Sequence, residues 1–223
     1  MELCGAFSGH RHVRGLAGIA FDMDGVIFDS RDANKAYYNL IRSELGLGPM
    51  NEVEEQYVHA HAVHDSLAFI VPEELWSKVP AARAAVDYRR VIPHMRVEPG
   101  LFQLLDAARA AGLKRAIYTN RTTTIDLVMD RFGLRPYFDY VLTASDVRSK
   151  PHPEGMFRIL ENWGAEPCEV AYIGDSSVDA LAAAAADVPF WAYKNEMLKG
   201  DMLVTDFFEL RACLLHEYRP EFP

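Results

Sequence analysis

Two aspartates stand two residues apart in "FDMDGVIFDS", residues 21–30, directly after the apolar run "LAGIA". Side chains alternate along a strand, so Asp22 and Asp24 share a direction and, at a strand end, face one crevice. A carboxylate at the edge of an apolar core is costly unless it is paired or binds a metal. Three other places carry polar residues of matching character: Thr119 and Asn120 in "IYTN", Lys150 in "SKPHPE", and Asp175 with Asp179 in "GDSSVD". Asp22, Asp24 and Asp175 gathered beside one lysine are hard to hold together without a hard cation. Oxygen ligands with no thiolate suit Mg²⁺, which keeps several waters and often joins a phosphate. Gly25 permits a sharp turn and lets backbone N–H groups approach an anion. Taken singly these residues have plainer readings: Thr119 or Asp175 as a helix cap, Lys150 as a solvated lysine. Their order and placement give them weight, because each falls at the C-terminal end of a strand or just after it.

The elements that must place them follow from hydrophobic periodicity. Residues 16–23 read as a buried strand, a short apolar run closed by polar residues and Gly25. Residues 31–46 read as a helix with Tyr37, Leu40, Ile41 and Leu45 on one face. From 51 to 93 the pattern is helical with no convincing strand, and "VPEELWSKV" suits a helix N-terminus. After "EPG" the pattern changes. Leu101, Leu104, Leu105 and Ala108 mark a helix, "KRAIYTN" a strand, Ile125, Val128, Met129 and Phe132 a helix, and "YVLTA" a strand. Pro153 opens a helix holding Met156, Leu160 and Trp163; then come strand "EVAYIGD", helix "SVDALAAAAAD", strand "PFWAY" and a last helix over 206–216. Strands alternating with helices predict an α/β fold with a parallel, doubly wound sheet. The expected division is an N-terminal extension (1–15), an α/β core (16–30 and 97–223) and a small all-helical domain (31–96) inserted after the first strand. Ligands of such sheets bind at the carboxyl ends of the strands.

The totals set outer bounds. The chain has 223 residues, half of them hydrophobic and a quarter charged, which suits a globular protein with a sizeable core. A formal charge of −9 argues against nucleic acid or an anionic membrane as partner, and leaves a small phosphorylated substrate open. Three scattered cysteines, Cys4, Cys168 and Cys213, suggest neither a disulfide framework nor structural zinc. With no signal peptide and no membrane span expected, a cytoplasmic protein is the default, as monomer or homodimer.

"DMDGVIFDS", "YTN", "SKPHPE" and "GDSSVD", in that order, resemble the four motifs of the haloacid dehalogenase superfamily of Mg²⁺-dependent phosphohydrolases. The resemblance spans nearly all the chain past residue 15. A helical insertion after the first motif resembles the cap of the phosphoglycolate phosphatase and β-phosphoglucomutase branch. The resemblance implies that Asp22 is the nucleophile, forming an aspartyl-phosphate, and Asp24 the general acid and base, its carbonyl also touching Mg²⁺. It implies that Thr119 bonds the transferring phosphoryl, with Gly25 and Asn120 beside the phosphate. Lys150 would neutralise phosphate and nucleophile, and Asp175 would hold Mg²⁺ with Asp22, supported by Asp179. The chemistry is coherent in itself. A carboxylate nucleophile divides one displacement into two easier ones, and phosphoryl transfer is mostly positioning and charge stabilisation.

Asp24 argues against carbon–halogen cleavage, since members doing that chemistry usually lack the second aspartate. Phosphonatases usually have alanine there and bring a lysine from the cap; Lys35 and Lys78 make no compelling match. The expected function is hydrolysis of a small phosphomonoester. A β-phosphoglucomutase-like mutase, or a non-catalytic phosphate- or partner-binding member of the fold, stands as the alternative. Arg121 after the Thr-Asn pair is unusual, and is read as a solvent-facing residue at a helix start rather than a contact to an anionic substrate. In "HAHAVHDS" only His61 and His64 share a helix face, so His59, His61 and His64 are read as structural or substrate-facing rather than a metal cluster.

Overall fold

The structure is a computed structural model that describes residues 13–60 and 63–218. Most of the expected N-terminal extension therefore lies outside the described residues, as does His61. The first buried run forms β1 (Gly18–Phe21), and the two-residue strand β2 (Phe28–Asp29) follows. Three helices come next, α1 (Arg31–Glu44), α2 (Glu52–Ala60) and α3 (Val63–Ile70), then a 3₁₀ segment at Glu73–Lys78 and α4 (Val79–Ala85). After the short strand β3 (Arg96–Val97) the alternation begins: α5 (Leu101–Ala110), β4 (Lys114–Tyr118), α6 (Ile125–Arg131), β5 (Tyr140–Leu142), α7 (Glu154–Trp163) and β6 (Val170–Gly174). It ends with α8 (Ser177–Ala185), β7 (Phe190–Tyr193), β8 (Met202–Val204) and α9 (Phe207–Glu217).

Six strands form one sheet in the order β5-β4-β1-β6-β7-β8, and every adjacent pair is parallel. β1 is central: the chain builds outward from it through β4 and β5, then returns to its other side at β6. That reversal makes the carboxyl end of β1 a topological switch point, where such sheets open a crevice. Both faces are covered. Ala20, Ala116, Tyr118 and Tyr172 pack under Met156, Ile159 and Trp163 of α7 and Ala182 and Ala183 of α8. On the opposite face Phe21 meets Phe138 and Phe207 edge-on, and Tyr193 stacks on Phe207.

The chain divides into two units, one running to Phe28 and resuming at Val97, the other Asp29–Arg96. The helical unit has its own core, with Tyr38 and Ile41 of α1 packed among Val58, Leu67, Ile70, Val79 and Ala82. "VPEELWSKV", read as a helix N-terminus, begins a 3₁₀ segment after Pro72 that leads into α4, with Pro80 in that helix's first turn. Strands β2, β3 and β8 are elements that the periodicity does not show; β8 is three residues long, set in polar sequence, and pairs on one side only.

Candidate active site

β1, β4 and β6 end side by side. Phe21 is in register with Ile117 and Ile173, so Asp22 lies one step past the sheet between its two neighbours. Its N–H donates to the Ile173 carbonyl at 2.8 Å, and the Thr119 N–H donates to the Leu142 carbonyl at 3.0 Å. Asp175 follows Gly174 at the end of β6. Asp22, Thr119 and Lys150 are all buried.

Lys150 arrives on the loop between β5 and α7 and is the electrostatic hub. Its ammonium lies 2.6 Å from Asp22 Oδ1 and 2.6 Å from Asp179 Oδ1. It also donates to the Tyr172 hydroxyl at 2.9 Å and the Tyr118 carbonyl at 3.3 Å. Burial works to lower its pKa, but attraction to Asp22 and Asp179 outweighs that and holds it above the ordinary lysine value. Asn120 fixes the backbone behind this ammonium: its Oδ1 accepts from Lys150 N–H at 2.7 Å and its Nδ2 donates to the Lys150 carbonyl at 3.1 Å. The Asn120 side chain, expected at the phosphate, is thus engaged in placing Lys150.

Asp179 is fully buried at the start of α8. Beyond Lys150, its Oδ1 accepts from the Tyr172 hydroxyl at 2.7 Å, and its Oδ2 takes the Ser176 N–H at 3.1 Å and the Ser176 hydroxyl. Both oxygens are occupied by protein donors, which suits a support for Lys150 better than a ligand position. Asp22, Asp175 and Asp179 each offer an oxygen within 4.8 Å of the others, and this is the one group among the described residues with ligand atoms so gathered. Burial pushes the Asp22 carboxyl well above the ordinary range; Asp179 and Asp175 add to the rise and Lys150 opposes it. Burial, then repulsion from Asp179, pushes Asp175 up to about 7. A cation among them would relieve both effects, and an all-oxygen donor set fits Mg²⁺.

Gly25 turns the chain after the aspartates with φ +79°, and a Cβ there would fall 1.9 Å from Asp175 Oδ2. Its N–H donates to the Phe28 carbonyl at 2.8 Å, so the glycine serves the turn and the approach of Asp175. Asp24 is more open than Asp22, with its side chain 35% exposed. It is gripped by Arg121, whose Nε donates to Oδ2 and Nη2 to Oδ1, each at 2.6 Å. Arg121 is not the solvent-facing residue expected from the sequence. Its side chain is 10% exposed, and α6 begins only at Ile125, so the Thr119–Thr124 segment is free to fold back over the crevice.

Tyr172, Ser176 and Asn195 were not legible as site residues. Tyr172 reads as one more apolar strand position, although it sits two residues before Gly174 and so shares that side of the strand. Asn195 donates to the Asp175 carbonyl at 2.8 Å from beyond β7. In the helical unit, His59 Nε2 accepts from Arg31 Nε at 3.1 Å, and burial together with Arg31 lowers its pKa. His64 packs edge-on against Trp76. These two histidines have separate partners.

The model of haloacid dehalogenase-like hydrolases matches residues 19–193, a span that holds every strand-end residue described above except Asn195. The chain belongs to the haloacid dehalogenase-like hydrolase family. A phosphoglycolate phosphatase from Agrobacterium fabrum is 27% identical over 217 residues, covering 88% of this chain and 91% of that protein. The crystal structure of a subfamily IA, variant 1 haloacid dehalogenase hydrolase from Geobacter sulfurreducens is 36% identical. It has a TM-score of 0.78 and covers 90% of this chain and 97% of that one. A β-phosphoglucomutase from Clostridium difficile, at 19% identity and a TM-score of 0.70 over 91% and 97% of the two chains, shares the fold. Membership of the haloacid dehalogenase-like family makes this chain an enzyme, a hydrolase.

Proposed function

We propose that the chain is a Mg²⁺-dependent phosphatase that hydrolyses a small phosphomonoester through an aspartyl-phosphate on Asp22. The observation that carries this reading is the placement of Asp22. It is a buried carboxylate pinned at 2.6 Å by a buried ammonium, with Asp24 beside it more exposed. Asp22 and Asp175, with the Asp24 carbonyl, are the groups that would hold Mg²⁺; when bound, it supplies neutralisation of phosphoryl charge.

The chain's own residues then divide the work. An Asp22 oxygen attacks phosphorus, the ester P–O bond breaks, and the proton of the Asp24 carboxyl goes to the leaving oxygen. Asp24, now a carboxylate, takes a proton from water as the water oxygen attacks phosphorus and the P–O bond to Asp22 breaks. Both aspartates return to their starting states. Lys150 keeps Asp22 aimed and offsets the charge of the phosphoryl group, and Thr119 lies where it can donate to a phosphoryl oxygen. Asp179 and Tyr172 hold Lys150; Asn120 holds its backbone.

Phosphoglycolate, the substrate that names the Agrobacterium relative, heads the candidates, with sugar phosphates and nucleoside monophosphates behind it. The test is phosphate release from p-nitrophenyl phosphate and such a panel, in Mg²⁺ and in EDTA, by wild type and Asp22→Asn. Release that needs Mg²⁺ and is lost in Asp22→Asn is expected. Release unaffected by EDTA, or retained in the variant, would overturn the reading.

A further inference from the structure

Arg121 is a cation of the site to which the reaction above gives no task. Its guanidinium meets both oxygens of Asp24, Nε on Oδ2 and Nη2 on Oδ1, each at 2.6 Å. Nη1 donates to Thr124 Oγ1 at 3.3 Å, and the Arg121 backbone N–H donates to Thr119 Oγ1 at 3.1 Å. The arginine is therefore anchored to the loop that carries Thr119, and its fork points at the group assigned to proton transfer. To serve the leaving group, one Asp24 oxygen must turn away from the guanidinium and toward the ester oxygen, which the two-point grip opposes. Arginine stays charged, and its planar fork matches a carboxylate bidentately, as it does here on Asp24.

We propose that Arg121 is a latch: it holds Asp24 before substrate binds, then passes its fork to a second acidic group on the substrate and so releases Asp24. This rests on the reading of Asp24 as the proton-transfer residue. The substrate class follows from reach. The ester oxygen must come within hydrogen-bond distance of Asp24, and the guanidinium is already at that distance from the same carboxylate. The second acid therefore lies only a few bonds from the ester oxygen. Small O-phosphorylated hydroxy acids meet that condition; neutral alkyl phosphates lack the group that opens the latch. Arg121 thereby determines specificity, and it positions Asp24 in the unliganded enzyme.

The test compares 2-phosphoglycolate with ethyl phosphate, the same two-carbon chain without the carboxylate. Both are measured with Mg²⁺ on wild type, Arg121→Gln and Arg121→Lys. Wild-type turnover of p-nitrophenyl phosphate, lost in Asp22→Asn, is established first, so that failure of the phosphatase reading shows itself separately. The latch predicts opposite signs. Arg121→Gln lowers kcat/KM for phosphoglycolate by about tenfold or more, the scale of a lost charged hydrogen-bond pair. The same variant raises kcat for ethyl phosphate, because Asp24 is no longer held. Arg121→Lys, which keeps the charge and loses the fork, recovers part of the phosphoglycolate rate. Equal losses on both substrates would mean that Arg121 only supports Asp24, and would overturn the latch. So would a wild type that prefers ethyl phosphate, or an Arg121→Gln enzyme unchanged on both.

Discussion

Lys150 shows how much of the site rests on one side chain. Its ammonium is buried and compensates two carboxylates that are themselves buried, Asp22 and Asp179. Removing one partner of such an arrangement leaves uncompensated charge in a poorly solvated place, at a cost of about 3–5 kcal/mol. Lys150→Met is therefore expected to lose activity and to unfold at clearly lower urea concentration. Urea denaturation monitored by circular dichroism checks this, and a midpoint equal to wild type would contradict it. Asp22, Asp24, Lys150 and Asp175 were legible because chemistry at strand ends leaves a positional signature. Tyr172, Ser176 and the Asn120 clamp were not, because their roles depend on how far a side chain reaches across the sheet. Arg121 was misread for the same reason: the sequence places it after a strand but does not say that the loop folds back onto Asp24.

The strand-end loops are the elements that convert the sheet into a site. The turn after β1 depends on Gly25, which has φ +79° and no room for a Cβ beside Asp175 Oδ2. Left-handed backbone costs a non-glycine residue about 1–2 kcal/mol, but the larger effect here is displacement of the Asp175 carboxylate. Gly25→Ala should weaken Mg²⁺ activation by about tenfold or more while the fold remains, the scale of losing good ligand placement. A titration of rate against Mg²⁺ concentration measures this, and an unchanged activation midpoint would contradict it. The helices and the strands β1, β4, β5, β6 and β7 were legible because burial imposes a pattern on them, a period of 3.6 for helices and near-continuous apolar runs for strands covered on both faces. Strand β8 escaped because its three residues are set in polar sequence, so its identity, like that of β2 and β3, comes from its pairing.

Across the whole molecule, the clustered carboxylates tie stability to pH and to metal. In the metal-free protein Asp175 keeps its proton up to about 7, whereas the unfolded chain loses it near the ordinary value of 3.8. Between those values the folded state binds more protons than the unfolded, so stability falls as pH rises through that window. Asp22, raised for the same reason, adds in the same direction. A cation favours the ionised carboxylates, so stabilisation by Mg²⁺ should grow with pH. Thermal unfolding in Mg²⁺ and in EDTA, at about pH 5 and about pH 8, should show the larger Mg²⁺ shift at the higher pH. An equal shift at both would count against the cluster as the metal site. The helical unit has a core of its own, so Ile41→Ala should destabilise that unit by about 2–4 kcal/mol, read by amide exchange confined to residues 29–96.

The claim on which the rest depends is that Asp22 takes the phosphoryl group. Rapid acid quench during turnover of a radiolabelled phosphomonoester, followed by peptide mapping, tests it most directly. The account predicts an acid-stable, base-labile phosphate on the peptide carrying Asp22, absent in Asp22→Asn and absent without Mg²⁺. Turnover with no phosphorylated protein, or with the label on a peptide lacking Asp22, would contradict it.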